Sequence, residues 1–260
     1  MRLLWLRALV LASIWVPMGV PLGPPTRAYA ADPSTLWKIV NGQCVPHEQA
    51  DRDPAPCSEV DIAAGVNKGF AVLKDIRGVA QFLLIPTARI GGIEDPAILQ
   101  PDETNYWDAA WRARSFVEQR VHASLPRDAI ALAINSSVGR TQNQLHIHID
   151  CIRPDEHDAL AANLDKIGNV WAAFPVKLAG HDYRAIRINQ ETLDGVDPFR
   201  VLADSHPRTE LGLHTLVVVG ATFPDGTAGF VLLDDHAELA VGNRASGEEL
   251  QDHTCAIAPR

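Results

Sequence analysis

The residues best suited to chemistry lie in one stretch, Asn135-Ser-Ser-Val-Gly139-Arg140-Thr141-Gln142-Asn143-Gln144-Leu145-His146-Ile147-His148-Ile149-Asp150. In an extended strand alternate side chains share a face. Gln144, His146, His148 and Asp150 therefore form a polar row, and Leu145, Ile147, Ile149 and Cys151 an apolar one. Groups in such a row cost free energy unless they are solvated, hydrogen-bonded or at work. Three readings fit. The first is a solvated sheet face with two incidental histidines. The second is a metal centre, with His146 and His148 aimed at one point and Asp150 as third ligand. The third is phosphoryl chemistry, in which one neutral imidazole attacks phosphorus and another binds or protonates the departing phosphate. For that chemistry the preceding loop, with Gly139 and Thr141, offers backbone N–H groups and a hydroxyl to phosphate oxygens.

The elements around this stretch must position it. Phe70–Asp75 and Ala80–Ile85 read as a hairpin about Ile76-Arg77-Gly78, ended by Pro86, which has no N–H for a ladder. Asn105–His122 has helical spacing, with Trp107, Ala110, Trp111, Phe116, Val117 and Val121 on one side. Ala129–Asn135 and Leu145–Ile152 are strands flanking the polar loop, and a helix follows from Asp155 to Ile167. Tyr183–Arg187 is a further strand, and Leu213–Val219 with Gly229–Leu233 makes a second hairpin about Pro224-Asp225-Gly226. Ser246 to Asp252 is expected as a last helix with a capping box between Ser246 and Glu249. Residues 31–60 are expected to be irregular apart from a short helix. The two hairpins are loosely alike, which hints at an internal duplication.

The stretch 135–150 resembles the histidine-triad family of nucleotide hydrolases and transferases, whose motif is Gly-x-Ser/Thr-x-x-His-φ-His-φ-His, φ being apolar. Here it reads Gly139-x-Thr141-x-x-Gln144-x-His146-x-His148, and Phe82-Leu-Leu-Ile-Pro86-x-x-Arg89-Ile90 is similar to the family's upstream strand. Asn135 to Pro154, and Asn243-Arg-Ala-Ser-Gly-Glu-Glu-Leu-Gln-Asp-His-Thr-Cys255, are closer still to bacterial CDP-diacylglycerol pyrophosphatases. The resemblance implies an α+β fold, a histidine-triad-like antiparallel sheet with flanking helices, to which the likeness of the two hairpins adds the expectation of an internally duplicated pseudo-dimer. It implies hydrolysis of CDP-diacylglycerol to CMP and phosphatidate at the inner membrane surface, without a metal or other cofactor. By position, His146 matches the nucleophile, His148 the histidine that contacts the reacting phosphate, and Thr141 the phosphate-binding hydroxyl. Gln144 stands where the family has its first histidine, and its amide can orient a neighbour but cannot take a charge. Arg89 stands at another histidine position, where a guanidinium can pair with phosphate. Arg140, Asn143 and Asn135 complete the expected substrate contacts, and Asp150 is expected as a structural acceptor. His181, His206, His214 and His253 fall in no usable pattern.

Two other functions remain open on the residues alone. One is a metal-dependent phosphohydrolase using His146, His148 and Asp150. The other is a non-catalytic periplasmic nucleotide- or lipid-binding module, if Gln144 has disabled the site.

Composition narrows the setting. Residues 1–30 contain Arg2, Arg7 and Arg27, no acid, a short apolar run and Ala28-Tyr29-Ala30, the pattern of a signal peptide or N-terminal membrane anchor. Either places residues 31–260, the expected hydrolase domain, on the periplasmic side of the inner membrane. The formal charge of −9 becomes −12 without this leader, too acidic for a general nucleic-acid binder. Cys44, Cys57, Cys151 and Cys255 match no CxxC or zinc spacing and read as two disulfides. Of three connectivities, Cys44–Cys57 with Cys151–Cys255 is favoured, because Pro46, Pro54 and Pro56 shape a short loop within the first pair.

Overall fold

A computed structural model describes residues 32–259; the expected leader lies outside them. The strands are β1 (Glu59–Asp61), β2 (Phe70–Lys74), β3 (Phe82–Pro86), β4 (Ile130–Ile134), β5 (Ile147–Cys151), β6 (Ala172–Ala173), β7 (Arg184–Ile188), β8 (His214–Thr222) and β9 (Ala228–His236). They form one antiparallel sheet in the order β1-β2-β3-β5-β4-β8-β9-β7-β6. Read outward from the β4–β8 pair, β5 matches β9, β3 matches β7 and β2 matches β6. Both expected hairpins are present, and the sheet with its few helices is the expected α+β architecture.

The N-terminal segment departs from expectation. Thr35–Ile39 (α1) and Val45–Asp51 (α2) are joined through a π turn at Val40–Cys44 into a nearly continuous helical run. Pro46 sits in the first turn of α2, directly after the π turn. The expected central helix is α3 (Tyr106–Val121). Asn105 caps it by accepting from the Asp108 N–H, and His122 closes it in the left-handed conformation. The helix after β5 is shorter than expected. α4 (Pro154–Ala161) stops where the Asn163 side chain donates to the Ala159 carbonyl, and only a 3-10 turn follows at Leu164–Lys166. α5 (Pro198–Ala203) precedes β8.

Strand alternation decides what each face buries. Phe82, Leu84, Leu132, Ile147, Ile149, Val218 and Leu232 enter the largest core, under Trp107, Trp111 and Val117 of α3. A fully buried side chain such as Leu132 contributes about 1.5–3 kcal/mol of apolar burial. The other face holds two smaller cores. Ala71, Leu73, Leu83 and Ile85 pack with Val40 and Val45 at one end, and Ala133, Val217, Val231 and Leu233 with Leu160 and Tyr183 at the other. On that same face, the central strand β5 carries His148 and Asp150, which are buried polar groups.

Both favoured disulfides form, Cys44–Cys57 and Cys151–Cys255. The expected last helix does not. Gly247–Leu250 is a single 3-10 turn with no side-chain cap. The Ser246 hydroxyl donates instead to Asn135 Oδ1 at 3.2 Å, and Glu249 accepts from Tyr183 at 2.8 Å. Gly247 is required here, since a Cβ would sit 2.6 Å from Val217 and 2.7 Å from the Thr215 hydroxyl of the sheet beneath. Among the described residues no helix is long and apolar enough to cross a membrane.

Candidate active site

His146, one residue before β5, and His148 within it pack their rings 4.8 Å apart at 67°. His146 Nδ1 lies 2.7 Å from the backbone carbonyl of Gln144. A carbonyl only accepts, so this contact places the ring proton on Nδ1 and the lone pair on Nε2. Burial pushes the pKa of His146 down, which keeps the ring neutral and its lone pair available.

His148 has the opposite polarity. Its Nδ1 lies 3.0 Å from the amide nitrogen of Gln81, which donates, so the proton sits on Nε2. That Nε2 is buried with no protein partner. Burial pushes this imidazole down to about 4. The row therefore offers one imidazole with a basic nitrogen and a second with an N–H donor.

A carboxylate completes the arrangement. Glu248, on the 3-10 turn after Ser246, lies 3.3 Å from His148 Nδ1 and accepts from Gln81 at 3.2 Å and from the Asn135 amide at 2.7 Å. Asn135 returns the contact by accepting the Glu248 N–H at 3.3 Å. Burial works against charge on Glu248, but the donating amides of Asn135 and Gln81 favour the ionised form, and the carboxyl is held below its ordinary value. Beside it, His253 Nδ1 lies 2.9 Å from Asp150 Oδ2, and His253 Nε2 lies 3.9 Å from Glu248. The hydrogen bond to Asp150 raises the pKa of His253, while burial raises that of Asp150. Gln81, Glu248 and His253 were not singled out by sequence pattern. Glu248 and His253 do fall in the stretch 243–255, whose resemblance was the available signal.

Of the expected site residues, the structure gathers His146, His148, Asp150 and Asn135. Gln144 has a different part from the one expected. Its side-chain amide donates to the carbonyls of Pro86 and Ala88 at 3.0 and 2.8 Å, so only its backbone orients His146. Arg140 is engaged bidentately by Glu94. Arg89 is exposed, stacked 5.1 Å from the Trp37 ring. Thr141 and Asn143 are exposed, and the Asn143 N–H donates to Pro33 O. The loop N–H groups expected to face a phosphate are turned inward, those of Gly139 and Arg140 both donating to Ser136. Asp150 is the structural acceptor expected. With its carboxylate on His253, it does not converge with His146 and His148 as a ligand set. Among the described residues the converging groups are His206, His214, Asp234 and His181, Asp235, Glu249.

A family model described as CDP-diacylglycerol pyrophosphatase matches residues 31–259. A Yersinia pestis protein named CDP-diacylglycerol pyrophosphatase is 43% identical over 257 residues, covering 98% of this chain and 96% of the relative. Both matches run through the imidazole row and the segment that brings Glu248 to it, and on this evidence the chain belongs to the CDP-diacylglycerol pyrophosphatase family.

Proposed function

We propose that the protein hydrolyses the pyrophosphate bond of CDP-diacylglycerol through a covalent histidine intermediate. The observation that carries this is the Nδ1 contact of His146 with the Gln144 carbonyl, which leaves Nε2 as a fixed nucleophile. Nε2 attacks the phosphorus of the CMP moiety, and the bond to the bridging oxygen breaks. Its electron pair leaves with phosphatidate. The Nε2–H of His148 donates to a phosphate oxygen as charge develops there. Water then attacks the phosphorus, the P–N bond breaks back onto His146, and CMP departs. Glu248 is the ionised acceptor for the proton that the water gives up.

Two broader proposals accompany this one. The fold is a histidine-triad-like pseudo-dimer, supported by the mirrored strand order about β4–β8. The imidazole row is not repeated in the other half, where the equivalent face of β9 presents Val231, Leu233 and Asp235. The protein works on the periplasmic side of the inner membrane, held or delivered by residues 1–30, and the two disulfides support an oxidising compartment.

The test is to quench the enzyme during turnover of CDP-diacylglycerol labelled in the cytidine and to map the label by peptide sequencing. CMP on His146 is expected. Full turnover in excess EDTA is also expected, whereas loss with EDTA and recovery with zinc would overturn the nucleophilic reading in favour of a metal-dependent one. Tight binding of the lipid with no turnover would favour a binding module.

A further inference from the structure

The turn between β2 and β3 carries two aliphatic side chains in water. Ile76 is fully exposed at 101% and Val79 is 55% exposed. Single exposed aliphatics are ordinary, but a hairpin turn is normally polar, and this one is held rigid. The Lys74 ammonium donates to the carbonyls of Asp75, Arg77 and Gly78 at 2.7, 3.3 and 3.0 Å. Asp75 accepts the Arg77 N–H at 2.9 Å. The aliphatic groups are therefore presented by a fixed scaffold.

That scaffold is bolted to the catalytic row. The Val79 N–H donates to the His253 carbonyl at 2.8 Å. Gly78, at φ +65°, packs so closely that a Cβ would meet His253 Cβ at 3.2 Å. His253 in turn pairs with Asp150 and faces Glu248. The turn also carries positive charge on an otherwise acidic chain. Arg77 is exposed, and the exposed Arg120 donates to the Val79 carbonyl at 3.1 Å. Aliphatic side chains flanked by arginines match the headgroup–acyl boundary of an anionic bilayer.

We propose that the 75–79 turn docks the protein on an anionic phospholipid surface, with Ile76 and Val79 entering the acyl boundary and Arg77 and Arg120 on lipid phosphates. This rests on the lipid-pyrophosphate reading above. A diacyl substrate leaves the bilayer for water only at great cost, about 0.8 kcal/mol for each CH₂ exposed. The enzyme must therefore reach the pyrophosphate at the interface, and the turn brings the row there while the acyl chains stay in the bilayer.

The test uses the full chain, whose four cysteines are all paired, so one added cysteine can carry a polarity-sensitive fluorophore. Labelled I76C should shift to the blue on vesicles of phosphatidylcholine and phosphatidylglycerol and be quenched by nitroxides on the acyl chains. Labelled L239C, at another exposed aliphatic, should stay water-like. In kinetics, I76D/V79D should raise KM for bilayer-embedded CDP-diacylglycerol about tenfold. It should leave kcat and KM on a monomeric short-chain CDP-diacylglycerol unchanged. A water-like probe at position 76, equal insertion at 239, a blue shift without vesicles (a second copy or protein contact), or equal loss on both substrates would each overturn the docking role. A wild-type enzyme idle on both substrates defeats the functional reading, while the fluorescence arm still judges the turn.

Discussion

The Nδ1 atom of His146 lies 2.7 Å from the carbonyl oxygen of Gln144, two residues before it in the chain. The orienting group is thus main chain, and the departure from histidine at position 144 does not remove it. A glutamine side chain there is free to serve elsewhere, and it ties the approach to β5 onto the carbonyls of Pro86 and Ala88.

Replacing the two residues should therefore separate chemistry from support. His146→Ala should lower kcat by about 10³-fold or more, as loss of a nucleophile does. Gln144→Ala should lower stability by about 1–3 kcal/mol through two orphaned carbonyls. It should change kcat by less than about tenfold. Steady-state kinetics and urea midpoints check both.

Glu248→Gln should cost about 10²-fold in kcat, the scale of a general acid–base contribution. The substitution keeps an acceptor for the Asn135 amide, so the fold should survive. Because the folded pKa of Glu248 is depressed, its charge stabilises the protein above the unfolded value, and that stability is lost as pH falls through the folded one. Urea titrations of wild type and variant should show a flatter acid limb in E248Q.

His148 should add to acid sensitivity from the other direction of charge. Its ordinary pKa near 6.5 is pushed to about 4 by burial. Below 6.5 the unfolded chain binds a proton there that the folded chain refuses, so stability falls as pH drops from 6.5 towards 4. His148→Asn should remove that slope, and an NMR titration of the His148 ring should show it neutral at pH 6.

His253→Ala leaves the buried Asp150 carboxylate without its imidazole, at a cost of about 1–3 kcal/mol. Asp150→Asn, which can still meet the ring, should cost less. Equal effects in denaturant would contradict the pairing.

The two disulfides should prove unequal. Cys151–Cys255 closes a separation of 104 residues and Cys44–Cys57 one of 13. Removing the first as C151S/C255S should cost about 2–5 kcal/mol and lower kcat as well, because it frees the segment carrying Glu248 and His253. Removing the second should lower stability with kcat unchanged.

Much of this was legible in local pattern. The period-two run at 145–151 specified a half-polar strand, α3 followed from its apolar spacing and Asn105, and proline-shaped loop closure favoured the correct cysteine pairs. What escaped is non-local. Gln81 meets His148 across 67 residues, and Glu248 meets Asn135 across 113. No local periodicity reports such a contact. Thr141 and Asn143 sit at the right spacing for phosphate contacts, yet the loop is spent on Ser136 and on Pro33. The capping box at Ser246 failed for a related reason, since both side chains found stronger partners elsewhere in the fold.

The strap from Ser246 to Cys255 also sets an order of events. On a growing chain the two imidazoles are synthesised a hundred residues before Glu248, and every strand of the sheet precedes the strap. A nascent chain can thus assemble its sheet around an incomplete site. Glu248 and His253 arrive together only after all nine strands have been made, so the site is completed later than the sheet that holds it.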